Sequence, residues 1–358
     1  MRVQTIGSLE VATFETQSEL LKCLGGKGAA HGGPRYIPPK ITQRPTSSNG
    51  LCAPSAPHEA AWSGVIQQQP SSAPPKWVTG TWTTPNCRAL SIEDPNSGAG
   101  GGLPGFWIVD AWVGLAGAPG PLLQAGTWTQ DCPAGYSSYD GFFKVPKGVS
   151  CFAWIQWHSS TFTLVIDNFP VSPGDSVSVT VALVTAPFGR YDATIQSIMT
   201  QSGLTEVPGA QYGIAYVGNL TQDYRTVAVM HNLDASQNLF VGGASPTAEW
   251  IVERPTYGSG LCFTVKSPLG AYGEMIFTNA ACGTKVTSDV FPFEDGPFFG
   301  ILGSGARSDA GLIPLSAQPT VIYDVSGAPV STGDVLFPGI DGPSMVQVYQ
   351  PWADFTGR

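Results

Sequence analysis

The amino-acid sequence predicts an all-β fold, a β-sandwich of two packed antiparallel sheets. The 358 residues include 44 glycines and 31 prolines, and so many turn-forming residues favour short strands over long helices. The segment Ser176–Leu183 alternates strictly between polar and apolar residues, which is the pattern of a strand with one buried face. About a dozen strand-like segments, joined by short turns, indicate two sheets packed face to face.

Strands are predicted along most of the chain after residue 61. The segment Thr161–Ile166 reaches Ser176–Leu183 through Pro173-Gly174-Asp175, three residue types that favour chain reversal. Further strands are predicted at 77–84, 107–115, 151–157, 192–199, 212–217, 225–230, 248–253, 261–266 and 273–279. Edge strands are expected around 320–324 and 345–349, in a tail that is richer in loops. Residues 58–358 are therefore predicted to form one domain.

Residues 1–57 differ in composition from the rest of the chain and are predicted to be a poorly ordered leader. They hold six Lys or Arg and three Asp or Glu, a balance of +3, whereas residues 58–358 hold 11 and 23, a balance of −12. A basic leader on an acidic body favours an inhibitory propeptide that is held by charge and released by self-cleavage near residues 50–58 in acid. An ordinary disordered extension is the alternative.

The charge of the chain narrows the classes of function. Charged residues make up only 12% of the chain, and the formal net charge is −9. Because carboxylates become neutral in acid, few charges and a sequence pI near 4.8 suit an acidic medium. An acidic surface also argues against nucleic-acid binding. The sequence contains no run of about 18 apolar residues, so it predicts no membrane span. Residues 1–14 lack the apolar core of a secretory signal.

Several common catalytic motifs are absent, because the sequence has no Gly-x-Ser-x-Gly, His-Glu-x-x-His or P-loop motif. Four histidines, and seven cysteines without C-x-x-C spacing, give little support to a metal site, so neither a metal nor a cofactor is expected. Cys132 with Cys151, and Cys262 with Cys282, could form disulfides across hairpins. Buried free thiols are the alternative.

Two polar residues stand out because they interrupt apolar, strand-like runs. Gln124 lies within Leu123–Gly126, and Glu249 lies within Thr247–Glu253. A carboxylate in such a run destabilises the fold unless it is paired or hydrogen-bonded. Peptide-bond hydrolysis gives both residues a role, because a glutamate near its reference pKa can activate water in acid and a carboxamide can stabilise an oxyanion. The alternatives are a structural hydrogen bond for Gln124 and an ion pair of Glu249 with Arg254.

Eight motifs, in order between residues 62 and 280, together resemble the glutamic peptidases, the eqolisin family of acid endopeptidases. They are Trp62-Ser63-Gly64, Trp77-Val78-Thr79-Gly80-Thr81-Trp82, Trp112-Val113-Gly114, Leu123-Gln124-Ala125-Gly126, Ala153-Trp154-Ile155-Gln156-Trp157, Pro173-Gly174-Asp175, Thr247-Ala248-Glu249-Trp250-Ile251-Val252-Glu253 and Phe277-Thr278-Asn279-Ala280. The resemblance implies a concanavalin-like sandwich with the catalytic residues on the concave face of one sheet. It assigns Glu249 as general base and acid and Gln124 as oxyanion stabiliser.

The resemblance also implies a secreted enzyme, although no signal sequence is evident. We expect a monomer that acts on protein or peptide substrates, with no nucleic-acid or membrane partner. Four tryptophans of these motifs are predicted to line the substrate cleft, although aromatic residues in strands often pack the core instead. They are Trp112, Trp154, Trp157 and Trp250.

The chain departs from the family pattern at three acidic positions, where it has Ala116, Trp128 and Gln156. Neighbouring carboxylates raise the pKa of a carboxyl group. Because three acidic residues of the family pattern are missing here, Glu249 is predicted to have a lower pKa than in the family, and the pH optimum should shift. An inactive homologue is the alternative. A lectin-like module that binds sugar on an aromatic face is the first alternative function, since fold does not fix function. A coat-like structural protein with a large exposed apolar patch is the second.

Overall fold

The computed structural model describes residues 1–16, 19, 35–45, 62–87, 107–118, 121–132, 136–137, 144–145, 147–157, 162–234, 238–240, 245–254, 256–259, 263–266, 269–270, 272–287, 290, 310–311, 318–323, 329–337 and 344–349. Most of the described residues lie in β-strands, so the predicted all-β class is confirmed. The candidate cleavage region 50–58 lies outside the described residues.

The strands are short and follow one another closely along the chain. In chain order they are β1 (Arg2–Ile6), β2 (Leu9–Thr13), β3 (Arg35–Tyr36), β4 (Ile41–Pro45), β5 (Trp62–Gln68), β6 (Trp77–Thr83), β7 (Trp107–Ala118), β8 (Leu122–Cys132), β9 (Tyr136–Ser137), β10 (Lys144–Val145), β11 (Gly148–Trp157), β12 (Phe162–Ile166), β13 (Ser176–Thr185), β14 (Gln211–Asn219), β15 (Tyr224–Asn232), β16 (Ser245–Glu253), β17 (Thr256–Ser259), β18 (Phe263–Lys266), β19 (Glu274–Gly283), β20 (Ala310–Gly311), β21 (Gln318–Tyr323), β22 (Pro329–Phe337) and β23 (Ser344–Tyr349).

Two antiparallel sheets form the sandwich. Sheet I has the order β1–β2–β15–β14–β13–β6–β19. Sheet II has the order β4–β12–β11–β8–β7–β16–β5. A ribbon of β23, β22 and β21 connects β19 to β5 and so joins the two sheets along one side.

The main core lies between the two sheets. Because side chains alternate between the faces of a strand, every second residue of β7 and β8 faces sheet I, as Val113 and Leu123 do. Within the described residues, two indoles donate hydrogen bonds across the interface. The Trp82 indole donates to the Thr127 hydroxyl at 2.9 Å, and the Trp250 indole donates to the Thr79 carbonyl at 2.8 Å. These two buried indoles therefore link the sheets and help to fix how the sheets are aligned.

One segment predicted as a strand, 192–199, is instead helical, and α1 spans Ala193–Gln201. The side chain of Asp192 accepts a hydrogen bond from the Ile195 backbone amide at 2.8 Å and caps the helix N-terminus. Ile195, Ile198 and Met199 are buried, a spacing of three and four residues that places them on one helical face. This face packs on the outer side of sheet I, and burial there outweighs the strand preference of the β-branched residues.

The prediction that residues 1–57 form a poorly ordered leader is wrong for the part of that segment that the structure describes. β2 pairs with β15 at one edge of sheet I, and β4 pairs with β12 at one edge of sheet II. Leu9 and Val11 are each 1% exposed and belong to the main core. The N-terminal strands thus cover two sheet edges whose backbone groups would otherwise lack partners.

The cysteines in the described residues are free thiols, namely Cys87, Cys132, Cys151 and Cys282. The candidate disulfide between Cys132 and Cys151 does not form, because Cys151 pairs with Thr129 in the β8–β11 ladder and lies three residues out of register with Cys132. Cys262, the candidate partner of Cys282, lies outside the described residues.

Candidate active site

Gln124 and Glu249 lie in one row of residues across sheet II. Glu249 on β16 is directly opposite Gly114 on β7, and Gly114 is directly opposite Gln124 on β8. Gln156 on β11 extends the row beyond Gln124. Residues directly opposite one another in antiparallel strands point to the same face, so all four positions share the outer face of sheet II, which points away from sheet I. The sheet register therefore brings together the two residues that the sequence singled out.

Gly114 separates the two side chains, and we call the space over this residue, which Leu122 and Trp112 occupy, the gap. Two strand spacings separate Gln124 from Glu249, a backbone separation of about 10 Å, and the residue between them has no side chain. A Cβ atom at Gly114 would lie 2.8 Å from Cδ1 of Leu122 and 2.9 Å from Cζ3 of Trp112. Because both distances are shorter than normal carbon contacts, only glycine fits there. These two side chains form the apolar floor of the gap.

Each polar side chain at the gap has one atom fixed and one atom without a partner. Gln124 Nε2 donates to Gln156 Oε1 at 2.6 Å, and the Thr247 hydroxyl donates to Glu249 Oε1 at 2.7 Å. Gln124 Oε1 and Glu249 Oε2 are buried and have no hydrogen-bond partner among the described residues. A buried polar atom without a partner costs about 1–3 kcal/mol. The site thus keeps two polar atoms available for a ligand or for water.

Burial raises the pKa of Glu249 to about 7. The hydrogen bond from Thr247 opposes this rise in pKa, and the nearby Glu253 adds to it. Glu249 is only 3% exposed and Gln124 only 4%, so removal from water dominates the electrostatics. The pKa of Glu249 thus lies above the ordinary glutamate value, and the expectation that it is lower than in the family stays a prediction.

Two of the four predicted substrate-binding tryptophans share the outer face of sheet II. Trp112 and Trp154 belong to one apolar cluster there, with Leu122 and Ile251. Both are fully buried, at 0% and 2% exposure. They lie one row away from Gln124 and Glu249, since Gly126 faces Trp112 on one side and Trp154 on the other.

The other two tryptophans do not reach this face, and their predicted substrate contacts are corrected. Trp250 follows Glu249 and therefore points to the opposite side of β16, where its indole donates to Thr79 on sheet I. Trp157 likewise packs toward sheet I, with its Cζ3 atom 3.3 Å from the Cβ position at Gly213. Both are 0% exposed in the main core, so their role is to pack the sandwich.

The three departures from the family pattern also lie on the outer face of sheet II. Gln156 takes part in the site directly, because it accepts from the Gln124 amide. Ala116 is directly opposite Thr247, next to the hydroxyl that holds Glu249. Trp128 stacks on Phe152 with ring centroids 5.5 Å apart and donates to Gln130 at 3.0 Å. A hydrogen-bonded amide and apolar packing therefore occupy the positions where the family pattern has acids.

Sequence reasoning did not identify Gly114, Thr247 or Asp110 as parts of this face. Asp110 is directly opposite Glu253, 4% exposed, and accepts a hydrogen bond from the Trp154 indole at 2.8 Å. Burial, and then the charge of Glu253, raise the pKa of Asp110 well above its usual range. The alternation rule contained part of this signal, because Asp110, Trp112 and Gly114 are two residues apart on one strand. Within the described residues, no three His, Cys, Asp or Glu side chains cluster so that they could hold a metal ion.

Comparison with known proteins finds a family model and solved structures that match the chain. Residues 60–197 match the family model described as "Peptidase A4 family", a segment that includes Gln124 and ends before Glu249. None of the curated proteins compared with the chain matches it. Among solved structures, the chain is similar to "Crystal structure of scytalido-glutamic peptidase with a transition state analog inhibitor", with a TM-score of 0.47 and 16% identity over 82% of this chain and 98% of that chain. The match to this family model over residues 60–197 confirms the resemblance to the glutamic peptidases.

Proposed function

We propose that the protein hydrolyses peptide bonds, with Glu249 as general base and acid and Gln124 as oxyanion stabiliser. The observation that carries this proposal is the sheet register, which places Glu249, with its unpartnered Oε2 atom, across Gly114 from Gln124 on one face of sheet II. The backbones of these two residues are about 10 Å apart, and Leu122 and the Trp112 ring occupy the space over Gly114 between them, so a peptide must displace these side chains to bind there.

In the first step, ionised Glu249 takes a proton from a water molecule, whose oxygen then attacks the carbonyl carbon of the scissile bond. Thr247 holds one carboxylate oxygen at 2.7 Å, so the other oxygen is free to accept the proton. In the second step, protonated Glu249 passes this proton to the amide nitrogen, the C–N bond breaks, and an acid and an amine are released. One residue thus serves both steps.

Gln124 is suited to stabilise the negative charge on the carbonyl oxygen between the two steps. Its Nε2 group has two hydrogens, and one of them is donated to Gln156. That bond orients the amide and leaves the second hydrogen for the oxyanion. A neutral donor that is fixed before the reaction stabilises the transition state without any reorganisation, and loss of one such donor typically slows a reaction about 10²- to 10³-fold.

The pH dependence follows from the environment of Glu249. A carboxyl group with a pKa of about 7 is only about 1% ionised at pH 5. We therefore propose that kcat/KM rises from acid toward neutral pH, with an optimum less acidic than the composition suggests. Because both side chains are nearly inaccessible, a peptide can reach them only after the groups that cover them move.

The sugar-binding alternative has less support from the outer face of sheet II. Sugar binding on an aromatic platform requires exposed rings, whereas Trp112 and Trp154 are buried and both indoles donate to carboxyl groups. The two residues of the proposed dyad face one gap, as hydrolysis requires, although that gap is not open to solvent. Secretion and a monomeric state remain predictions. No helix within the described part of the chain is long and apolar enough to cross a membrane.

Cleavage of a denatured protein substrate between pH 2 and pH 8 tests the proposal. We expect activity in the wild type, loss of activity in Glu249→Gln, and a decrease of about 10²-fold or more in Gln124→Ala. Glu274→Gln and Gln201→Ala are matched controls, because both residues are exposed and lie outside sheet II. A folded wild type without activity at any pH, or equal activity in Glu249→Gln, would refute the proposal, and sugar binding would then be the function to examine.

A further inference from the structure

We propose that Glu253 is a positioning residue that holds the Trp112 ring against Gly114. The ring forms part of the floor between Gln124 and Glu249, so this inference rests on the proposed function and deepens it. Glu253 lies at the end of β16, four residues after Glu249, and itself makes no contact with the gap at Gly114 that the structure records.

The Trp112 indole is held at both of its edges. On one edge, Nε1 donates to Glu253 Oε2 at 2.8 Å. On the other edge, Cζ3 and Cε3 lie 2.9 and 3.3 Å from the Cβ position at Gly114. Trp62 packs edge-on against the same indole, with ring centroids 5.0 Å apart and an interplanar angle of 81°. Displacement of the hydrogen-bonded edge would therefore move the edge that forms the floor of the gap.

Glu253 is itself fixed by a group of carboxyls and indoles. It accepts hydrogen bonds from Trp112 and from Trp62, and it lies directly opposite Asp110. Asp110 in turn accepts from the Trp154 indole at 2.8 Å. Two carboxyl groups so close together in a buried row do not both ionise readily, so the pair retains a proton in acid. Three indole N–H groups satisfy the remaining acceptor sites.

The neighbouring strands add few charges to this pair. On β16, the nearest titratable group that shares the face is Glu249, whose pKa Glu253 raises. Trp62 faces Glu253 from β5, and Trp128 faces Asp110 from β8. Neither side chain titrates. Arg254 follows Glu253 in the sequence and is 6% exposed.

A double-mutant cycle with Glu253→Ala and Trp112→Phe tests the link between the two residues. A misplacement of about 1 Å at a catalytic site can cost about 10²-fold in rate, so Glu253→Ala should lower kcat by about that factor. Trp112→Phe keeps a ring but removes the N–H, and we expect a smaller decrease. If Glu253 acts through the indole, Glu253→Ala should have little further effect in the Trp112→Phe background.

Glu253→Gln is the conservative variant, because its carbonyl oxygen can still accept from Trp112, and it should retain kcat within a few-fold of the wild type. Glu274→Gln is the matched control on sheet I. Equal losses from Glu253→Ala in both backgrounds, or a Glu253→Gln variant as impaired as Glu253→Ala, would overturn the inference. If Glu253→Ala does not fold, the kcat of Trp112→Phe alone tests the inference. A kcat equal to that of the wild type would then overturn it.

Indole ¹⁵N–¹H resonances separate a failure of this inference from a failure of the proposed function. A wild type without peptidase activity refutes the proposed function alone. In either case, the indole resonance of Trp112 should shift in Glu253→Gln, because an amide replaces the carboxyl acceptor, while that of Trp250, which donates to Thr79, should stay. An unchanged Trp112 resonance would refute the proposed tether independently of activity.

Discussion

Burial of a protonated Glu249 predicts that the protein loses stability as the pH rises. The folded state keeps this proton up to about pH 7, whereas the group loses it near the ordinary value of 4.5 when unfolded. Between these values the folded state binds more protons than the unfolded state, so the free energy of unfolding must fall with increasing pH. The stabilising effect is fully present below pH 4.5 and is lost as the pH passes through 7.

The size of this effect follows from the shift in pKa. A rise from 4.5 to about 7 corresponds to roughly 3 kcal/mol at about 1.4 kcal/mol per pH unit. In a domain of this size, that amount lowers Tm by roughly 6–12 °C. Burial also raises the pKa of Glu253 to about 7, so a second contribution of the same sign is expected. Glu249→Gln isolates the first contribution, because glutamine is neutral at every pH.

Urea unfolding followed by tryptophan fluorescence at pH 4 to 8 measures this difference. The free energy of unfolding of the wild type should fall by about 3 kcal/mol more than that of Glu249→Gln over this range. Glu274→Gln, in which an exposed glutamate is replaced, should follow the wild type. A wild-type stability that is constant or increases between pH 4 and 7, or equal pH dependence in Glu249→Gln, would refute the argument that Glu249 is buried in its neutral form.

Four further perturbations have defined outcomes. Gly114→Ala places a methyl group against Leu122 and the Trp112 ring, so kcat should fall by about 10²-fold while circular dichroism still shows a folded protein. Trp250→Phe removes the hydrogen bond to sheet I, and thermal denaturation should show a loss of about 1–3 kcal/mol with KM unchanged; a changed KM would restore this residue as a substrate contact. Asp192→Ala removes the helix cap and should cost about 1 kcal/mol in urea unfolding without any change in kcat. Deletion of residues 1–14 exposes the edge of β15, so light scattering should detect aggregation; a soluble, equally stable product would support the propeptide hypothesis instead.

The sequence predicted the strands best where side chains alternate over a long run. Ser176–Leu183 lies within β13, which pairs with strands on both sides. The alternation of polar and apolar residues in this segment corresponds to the two faces of a central strand. The helix at 193–201 was missed because Thr194 and Ile195 favour strands. The cap at Asp192, followed by buried residues three and four apart, was the signal that could have identified the helix.

The N-terminal strands could not be predicted from local sequence. β2 has five residues and pairs with β15 more than 200 positions later in the chain. Nothing within such a short segment specifies its partner, and the glycines and prolines that follow it dominate any compositional estimate. The burial of Leu9 and Val11 results from this distant pairing. Prediction of an ordered N-terminal segment therefore required the tertiary structure.

The candidate site shows which part of a β-sheet site the sequence specifies. Strand alternation already separates Glu249 from Trp250, because adjacent residues point to opposite faces. The row that joins Glu249, Gly114 and Gln124 depends on the register of two strand pairs, and a shift of one residue in either pair would destroy it. Sequence identifies the polar residues and their faces, but only the sheet register decides which of them meet.

The same burial that stabilises the protein in acid restricts its chemistry there. Neutral Glu249 favours the folded state at low pH, whereas the general base of the proposed reaction must be ionised. The two requirements oppose each other because one pKa of about 7 governs both of them. Composition suggested an enzyme adapted to acid in stability and in activity alike. In the proposed mechanism these properties separate, since low charge and buried carboxyls favour stability in acid, whereas water activation by Glu249 should increase toward neutral pH. The working range should therefore lie between the two limits, where enough Glu249 is ionised and the buried carboxyl pair still retains a proton.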